Sequence, residues 1–328
     1  MWDQLTTLNR GLGKRMFYVT VLALVLGFAF PLPVSKWMRD MVVVLFVYMT
    51  FITALDIRFG DFLSILKKPL LPLWMIFLIH AIMPIIAWAV GLIFYPDDFM
   101  TRLGFLISSA IPIGVTSIVW TSLGGGDVAL ALVVVTLDTL LSPLILPGFF
   151  SIVIGKSIQM NYMQMVTQLI WMVAVPSLLG MSLNGLTQGK VSGFTKSIGG
   201  ITAKLGVFFI VLINASTVVP ELSWSPALIK LLLVILLLVI AGYLVGYIGS
   251  VIIKEKRQEA ILTMTYNVGM RNINFGFVLA LAYFPVTVAI PITLVSIYQQ
   301  PLAALISRMY NLSKQRSEAD PTHRLKDI

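Results

Sequence analysis

The chain has 328 residues, of which 58% are apolar and 11% charged, and its mean hydropathy is +0.95. Soluble domains carry about 25% charged residues, so a soluble globular protein is excluded, and the length allows about ten apolar spans of ~20 residues. The net charge of +9 is spread between apolar runs, so no nucleic-acid partner is expected, and the absence of cysteine excludes disulfides, thiolate metal sites and cysteine nucleophiles.

The apolar pattern predicts an all-α polytopic membrane protein embedded in a lipid bilayer. Ten transmembrane helices are expected, at about 16–34, 40–56, 70–95, 101–123, 127–154, 161–186, 200–219, 227–253, 258–283 and 286–308. The first follows Arg10, Lys14 and Arg15, as a signal peptide would. It lacks a small-residue cleavage site and ends at Pro31 and Pro33, so a retained span is expected. Basic residues test the orientation. With the N-terminus in the cytoplasm, seventeen Lys and Arg fall in inside loops and tails and five in outside loops, leaving Arg271 within the membrane. That alternation predicts a cell (inner) membrane protein with both termini cytoplasmic. The polar stretch 313–328 is expected to be a cytoplasmic tail.

The whole chain reads as one membrane domain of two related halves, about 16–154 and 161–308. Spans four and nine are both polar in mid-run, at Gly114-Val115-Thr116-Ser117 and Gly269-Met270-Arg271-Asn272. An offset of 158 pairs Pro143-Leu144 with Pro301-Leu302, and Asp138 with Ser296. Five spans per half is odd, so the second half enters the membrane upside down. Inverted five-helix repeats of this kind build secondary transporters, with sites where broken helices 4 and 9 cross.

The most telling stretch is Tyr266 to Phe275. It puts Asn267, Met270, Arg271 and Asn272 inside an otherwise apolar run. An ionisable group at the bilayer centre costs roughly 2.5–3.5 kcal/mol on insertion scales and marks a functional site by default. In span four, Pro112 and Gly114 precede Thr116 and Ser117. Those hydroxyls suit either a binding site or a kinked helix bonding back to its own carbonyls. Gly124-Gly125-Gly126-Asp127 lacks the Lys-Ser/Thr of a phosphate loop and reads as a turn capped by Asp127.

Asp138 is the only acidic residue deep in a span, either a structural partner for Arg271 or a coupling group. Thr293, Ser296 and Gln300 form a polar stripe in span ten, with Gln299 beside it. His80 in span three is either a packing residue or a proton carrier. It has no second His or Cys at ligand spacing, so no zinc site is expected. Asn214 in span seven is either interhelical glue or a substrate contact. No GxSxG, HExxH or nucleotide fingerprint is present, so neither an enzyme nor a bound cofactor is expected.

At these residues the chain resembles the bile acid:sodium symporter family in its bacterial ten-span form. The matching segments are Asp61-Phe62 through Lys67-Lys68-Pro69, Met83-Pro84 with Ala87-Trp88, and Pro112 to Ser117. They continue with Gly126-Asp127-Val128-Ala129-Leu130, Thr139-Leu140-Leu141-Ser142-Pro143, and Val268-Gly269-Met270 with Asn272. The resemblance implies a panel of helices 1, 2, 6 and 7 and a core of helices 3–5 and 8–10. It also implies organic-anion substrates moved with sodium.

The family's sodium ligands carry over poorly. Its span-four Ser-Asn pair falls on Ser117-Ile118, and its two span-five hydroxyls fall on Ala131 and Val135. Its span-nine Glu falls on Asn267, its following Gln on Arg271, and its span-three Gln on His80. One negative charge is removed and one permanent positive charge is added. Arg271 is therefore expected to stand in for a sodium ion, with Asp138 as its compensating charge. The family's substrate-facing pair falls on Gln299-Gln300. The expected function is secondary transport of a small organic anion by alternating access, without conventional sodium coupling. The alternatives are a sodium symporter with a rearranged site, and a non-transporting sensor locked by an Arg271–Asp138 pair.

Overall fold

The computed structural model describes residues 2–57, 60, 69–153 and 161–319. Its helices are α1 (Trp2–Lys14), α2 (Met16–Ala29), α3 (Lys36–Ala54), α4 (Leu70–Phe94), α5 (Phe99–Ala110), α6 (Thr116–Gly124) and α7 (Val128–Val153). They continue as α8 (Tyr162–Leu186), α9 (Ser192–Glu221), α10 (Pro226–Ile252), α11 (Gln258–Gly269), α12 (Ile273–Tyr283) and α13 (Val286–Ala319). The segment Asp61 to Lys68, part of the family resemblance, lies outside the described residues, as does 320–328.

The protein is an all-helical, polytopic membrane protein. Among the described residues, seven helices are long and apolar enough to cross a membrane: α3, α4, α7, α8, α9, α10 and α13. Their outer faces expose Val44, Ile85, Leu144 and Leu233, surface that water would disfavour and lipid accepts. α1 and α2 meet at a bend of 66°. α5, α6, α11 and α12 have 12, 9, 12 and 11 residues. At ~1.5 Å per residue none of them spans a ~30 Å hydrocarbon core by itself.

Local chemistry explains why these four stop where they do. Asp98 caps α5, its Oδ1 accepting from the Thr101 N–H at 3.0 Å. α5 ends because Ile111 is extended (ψ 155°), as the residue before Pro112 must be. α6 closes on Gly125, whose φ of +79° is the left-handed conformation that glycine adopts freely. α11 ends at Met270, which is extended, and Asn272 then caps α12 by accepting from Phe275 N–H at 3.2 Å.

Three long helices each carry one π-helical turn, at Leu78–Ile82 in α4, Ile170–Ala174 in α8 and Thr195–Gly199 in α9. α2 and α3 pack on α9, and α3 on α8. α4, α5, α6, α7, α10, α11, α12 and α13 pack among themselves. α10 lies along α11 with very little clearance. A Cβ added at Gly246 would sit 2.6 Å from the Met264 carbonyl oxygen. Gly246→Val is therefore expected to destabilise the protein by about 1–3 kcal/mol through overpacking. Gly185→Ala, where a Cβ meets nothing within 4 Å, should leave the melting temperature in detergent unchanged.

Two helical stretches extend beyond the expected spans. The polar stretch from Ser313 begins as helix, since α13 continues to Ala319. Its Leu, Lys, Gln, Arg, Glu and Ala residues are good helix formers whether or not lipid surrounds them. α1 was not foreseen, because the apolar run begins only at Met16. It is tied down through Asn9, which donates to the Thr195 carbonyl at 3.3 Å and accepts from Lys204 Nζ at 2.5 Å.

Candidate functional site

The two helix breaks meet in the middle of the bundle. Ile113 and Arg271 form an isolated antiparallel bridge. Gly114 N–H donates to the Met270 carbonyl at 3.2 Å, and Asn272 N–H donates to the Pro112 carbonyl at 2.8 Å. Backbone groups released by each break are thus satisfied by the other. Gly114 is required there, because a Cβ would lie 2.7 Å from the Arg271 carbonyl oxygen.

Arg271 is buried, with 5% of its surface exposed. Its Nε donates to the Ser109 carbonyl at 3.0 Å, in the last turn of α5. That carbonyl end carries the negative pole of the short helix, where a cation is favoured. Both terminal nitrogens, Nη1 and Nη2, have no partner among the described residues. Gln299 grips the backbone of Arg271 from both sides. Its Oε1 accepts from Arg271 N–H at 2.9 Å, and its Nε2 donates to Arg271 O at 3.1 Å. Tyr243 hydroxyl in turn donates to the Gln299 carbonyl at 2.7 Å.

Asp138 does not pair with Arg271 as expected. Its Oδ1 lies 2.5 Å from His80 Nε2, and its Oδ2 accepts from Ile113 N–H at 2.6 Å. Among the described residues Arg271 has no carboxylate within 4.0 Å, although the Asp138 charge acts on it through space. The carboxylate instead supplies the acceptor that the extended backbone at Ile113 needs. An Arg271–Asp138 lock therefore has no contact to support it.

A cavity of about 430 Å³ borders the crossing. Of the predicted residues, Thr116, Arg271, Asn272, Gln299, Gln300 and Val135 line it. Gln300 accepts from Trp120 Nε1 at 2.6 Å and donates to Thr116 Oγ1 at 3.4 Å. Ser117, Ile118, Ala131, Asn214, Asn267, Met270, His80 and Asp138 do not line the cavity. Ser117 Oγ, Thr121 Oγ1, and both Asn267 amide atoms are buried without a partner among the described residues, as is Asn214 Oδ1. Ile118 and Val135 belong with Met75, Ile79, Ile113 and Val268 to an apolar cluster, not to an oxygen-lined ion site.

The cavity reaches a polar group that sequence reasoning missed: Asn9, Asp56, Thr195, Lys196 and Lys204. Thr195 hydroxyl donates to Asp56. Burial lifts the Asp56 carboxyl above its ordinary value, against the pull of that hydroxyl and of the Lys196 and Lys204 charges. These residues come from the N-terminus, the end of α3 and the start of α9, so no local pattern links them. Asn274, four residues before Val278 on the buried α12, also lines the cavity.

A family model described as the Sodium Bile acid symporter family matches residues 42–223. The chain belongs to that family. The family match covers the first break and stops short of the second, where Arg271 stands. Among relatives, a Bacillus subtilis (strain 168) protein named "Uncharacterized protein YbaS" is 33% identical over 268 residues, covering 81% of this chain and 87% of the relative. A second protein of that strain, named "Uncharacterized sodium-dependent transporter YocS", is 24% identical over 298 residues, covering 90% of each chain. The protein is a multi-pass membrane transporter of the bile acid symporter kind.

Proposed function

We propose that this protein is a secondary transporter of a small organic anion that works by alternating access without conventional sodium coupling. The observation that carries this reading is the Arg271 contact to the α5 carbonyl end at Ser109. A fixed guanidinium occupies the place where a mobile cation would engage carbonyls, and its charge persists in either state of the cycle. The apolar cluster around Ile118 and Val135 supports the same conclusion, because sodium needs oxygen ligands.

In this reading α5 with α6, and α11 with α12, are each one broken span, and α2 completes a set of ten. Antiparallel pairing of the two breaks is what inverted five-helix repeats produce. α2 and α3 pack on α9 and α3 on α8, and this group meets the remaining spans through α7, α12 and α13, an arrangement that supports a panel rocking against a core. The anion binds in the cavity between them, with Thr116, Asn272 and Gln300 as its polar contacts and Gln299 holding Arg271 in place.

One observation favours a second reading, a sodium symporter with a rearranged site. Ser117, Thr121 and Asn267 supply buried oxygens with no partner among the described residues. Uptake of radiolabelled taurocholate and octanoate into proteoliposomes, in sodium against choline buffers, separates the two. Equal rates are expected. A steep rise with sodium would establish the second reading.

A further inference from the structure

We propose that the His80–Asp138 pair is the transporter's proton-binding site, and that its occupancy is coupled to the crossing of the two breaks. This rests on the transporter reading above and adds the coupling ion to it.

The geometry places one carboxylate between two things that must communicate. Its Oδ1 holds the imidazole at 2.5 Å, and its Oδ2 holds Ile113 N–H at 2.6 Å. Ile113 is the residue bridged to Arg271. A change of charge on the ring is therefore two hydrogen bonds, through one carboxylate, from the point where α5 and α11 are broken. Side-chain exposure is 7% for His80 and 0% for Asp138, so the bond is shielded from screening by water.

The ring also shows where the proton goes. Nε2 faces a carboxylate and carries the hydrogen in the neutral tautomer, which leaves Nδ1 as the bare nitrogen. Nδ1 is buried without a partner among the described residues. A proton added there makes Nδ1 a donor, and among the described residues no acceptor bonds it in this conformation. Loading thus belongs to a second conformation in which the turn around His80 brings Nδ1 to water or to an acceptor. His80 lies in the π turn Leu78–Ile82, a segment whose hydrogen-bond pattern can shift locally without ending the helix.

Other charges do not serve this pair. On α5, Arg102 donates to the Tyr95 and Pro96 carbonyls, and on α10, Lys230 sits over the Tyr95 ring. Tyr243 of α10 and Tyr266 of α11 donate to the Gln299 and Ala303 carbonyls of α13. Glu259 is exposed at the start of α11, and Asp127, just before α7, faces Arg257. Arg271 is the one charged neighbour near the pair among the described residues. The balance is simple: a proton enters at Nδ1 from one aqueous phase and leaves to the other, with no other bond made or broken. Moving one proton with one monocarboxylate carries no net charge.

The chain has two histidines, so a His323→Gln background leaves His80 as the single imidazole. The protein, labelled with ¹⁵N-histidine and ¹⁵N-isoleucine, is titrated by NMR in lipid nanodiscs. Across the pH series the imidazole signal and the Ile113 amide should move together. In Asp138→Asn the Ile113 amide should no longer follow the ring. A ring that does not titrate, or an Ile113 amide indifferent to it, overturns the proposal. In proteoliposomes, octanoate uptake should rise several-fold under an inward proton gradient, and His80→Gln should abolish that response. Uptake that ignores the gradient overturns proton coupling and leaves the transporter reading intact. If no anion moves under any gradient while ring and amide still titrate together, the transporter reading fails and the proton site stands.

Discussion

Replacing Asn267 with Glu and Arg271 with Gln in one chain is expected to make transport sodium-dependent. Uptake should be about tenfold higher in sodium than in choline, equivalent to ~1.4 kcal/mol of new ion binding. In the parent chain the two rates should be equal. The double change removes a fixed cation and restores an anion within one buried site, where Asn267 is 0% and Arg271 5% exposed. Arg271→Gln alone removes the cation without supplying a replacement. It should lose transport in both salts, since the α5 carbonyl at Ser109 then faces no charge. Identical rates for the double variant in sodium and choline would sink the idea that Arg271 stands in for an ion.

The second large effect is expected at Asp138, where two variants of similar size should behave differently. Asp138→Ala strips the acceptor from both His80 and Ile113 N–H, and both groups are deeply placed. An unsatisfied buried donor costs about 1–3 kcal/mol, and breaking a buried pair about 3–5 kcal/mol. A loss of about 3 kcal/mol, read as a large fall in melting temperature in detergent, is the expected result. Asp138→Asn keeps an oxygen that can accept from Ile113 N–H. It should retain most of the stability while losing the response to pH. Equal melting of all three proteins would mean that the carboxylate does not hold the first break.

The positions of the breaks were legible in the sequence because their causes are local. Pro112 forces Ile111 out of the helix, Asn272 is a natural cap, and Gly114 sits where two backbones touch. The partner of Asp138 was not legible. His80 and Arg271 both lie deep in apolar runs, and charge alone favours Arg271. What decides the pairing is distance, set by how α4, α5 and α7 pack, and no spacing along the chain reports it. Gln299 shows the same limit. Its residue type fits a substrate contact, yet its amide is spent on both sides of the Arg271 peptide. The cluster of Asn9, Asp56, Thr195 and Lys204 is assembled from segments up to 195 positions apart, and Asn9 lies before the first apolar run.

The π turn in α4 has a consequence for comparing this chain with its relatives. Such a turn holds one more residue than an α turn closed by the same number of bonds. A chain with a plain α-helix here reaches the same place with one residue fewer. Aligning the two without a gap at Leu78–Ile82 keeps one flank of the helix in register and rotates the other by roughly 100°. On the early flank, Trp74 donates to the Gly249 carbonyl of α10 at 3.0 Å. On the late flank, Met83 packs toward Gly242 of the same helix. Both contacts hold only because the extra residue lies between them, so each is an anchor from which the residue equivalent to His80 in any relative can be counted.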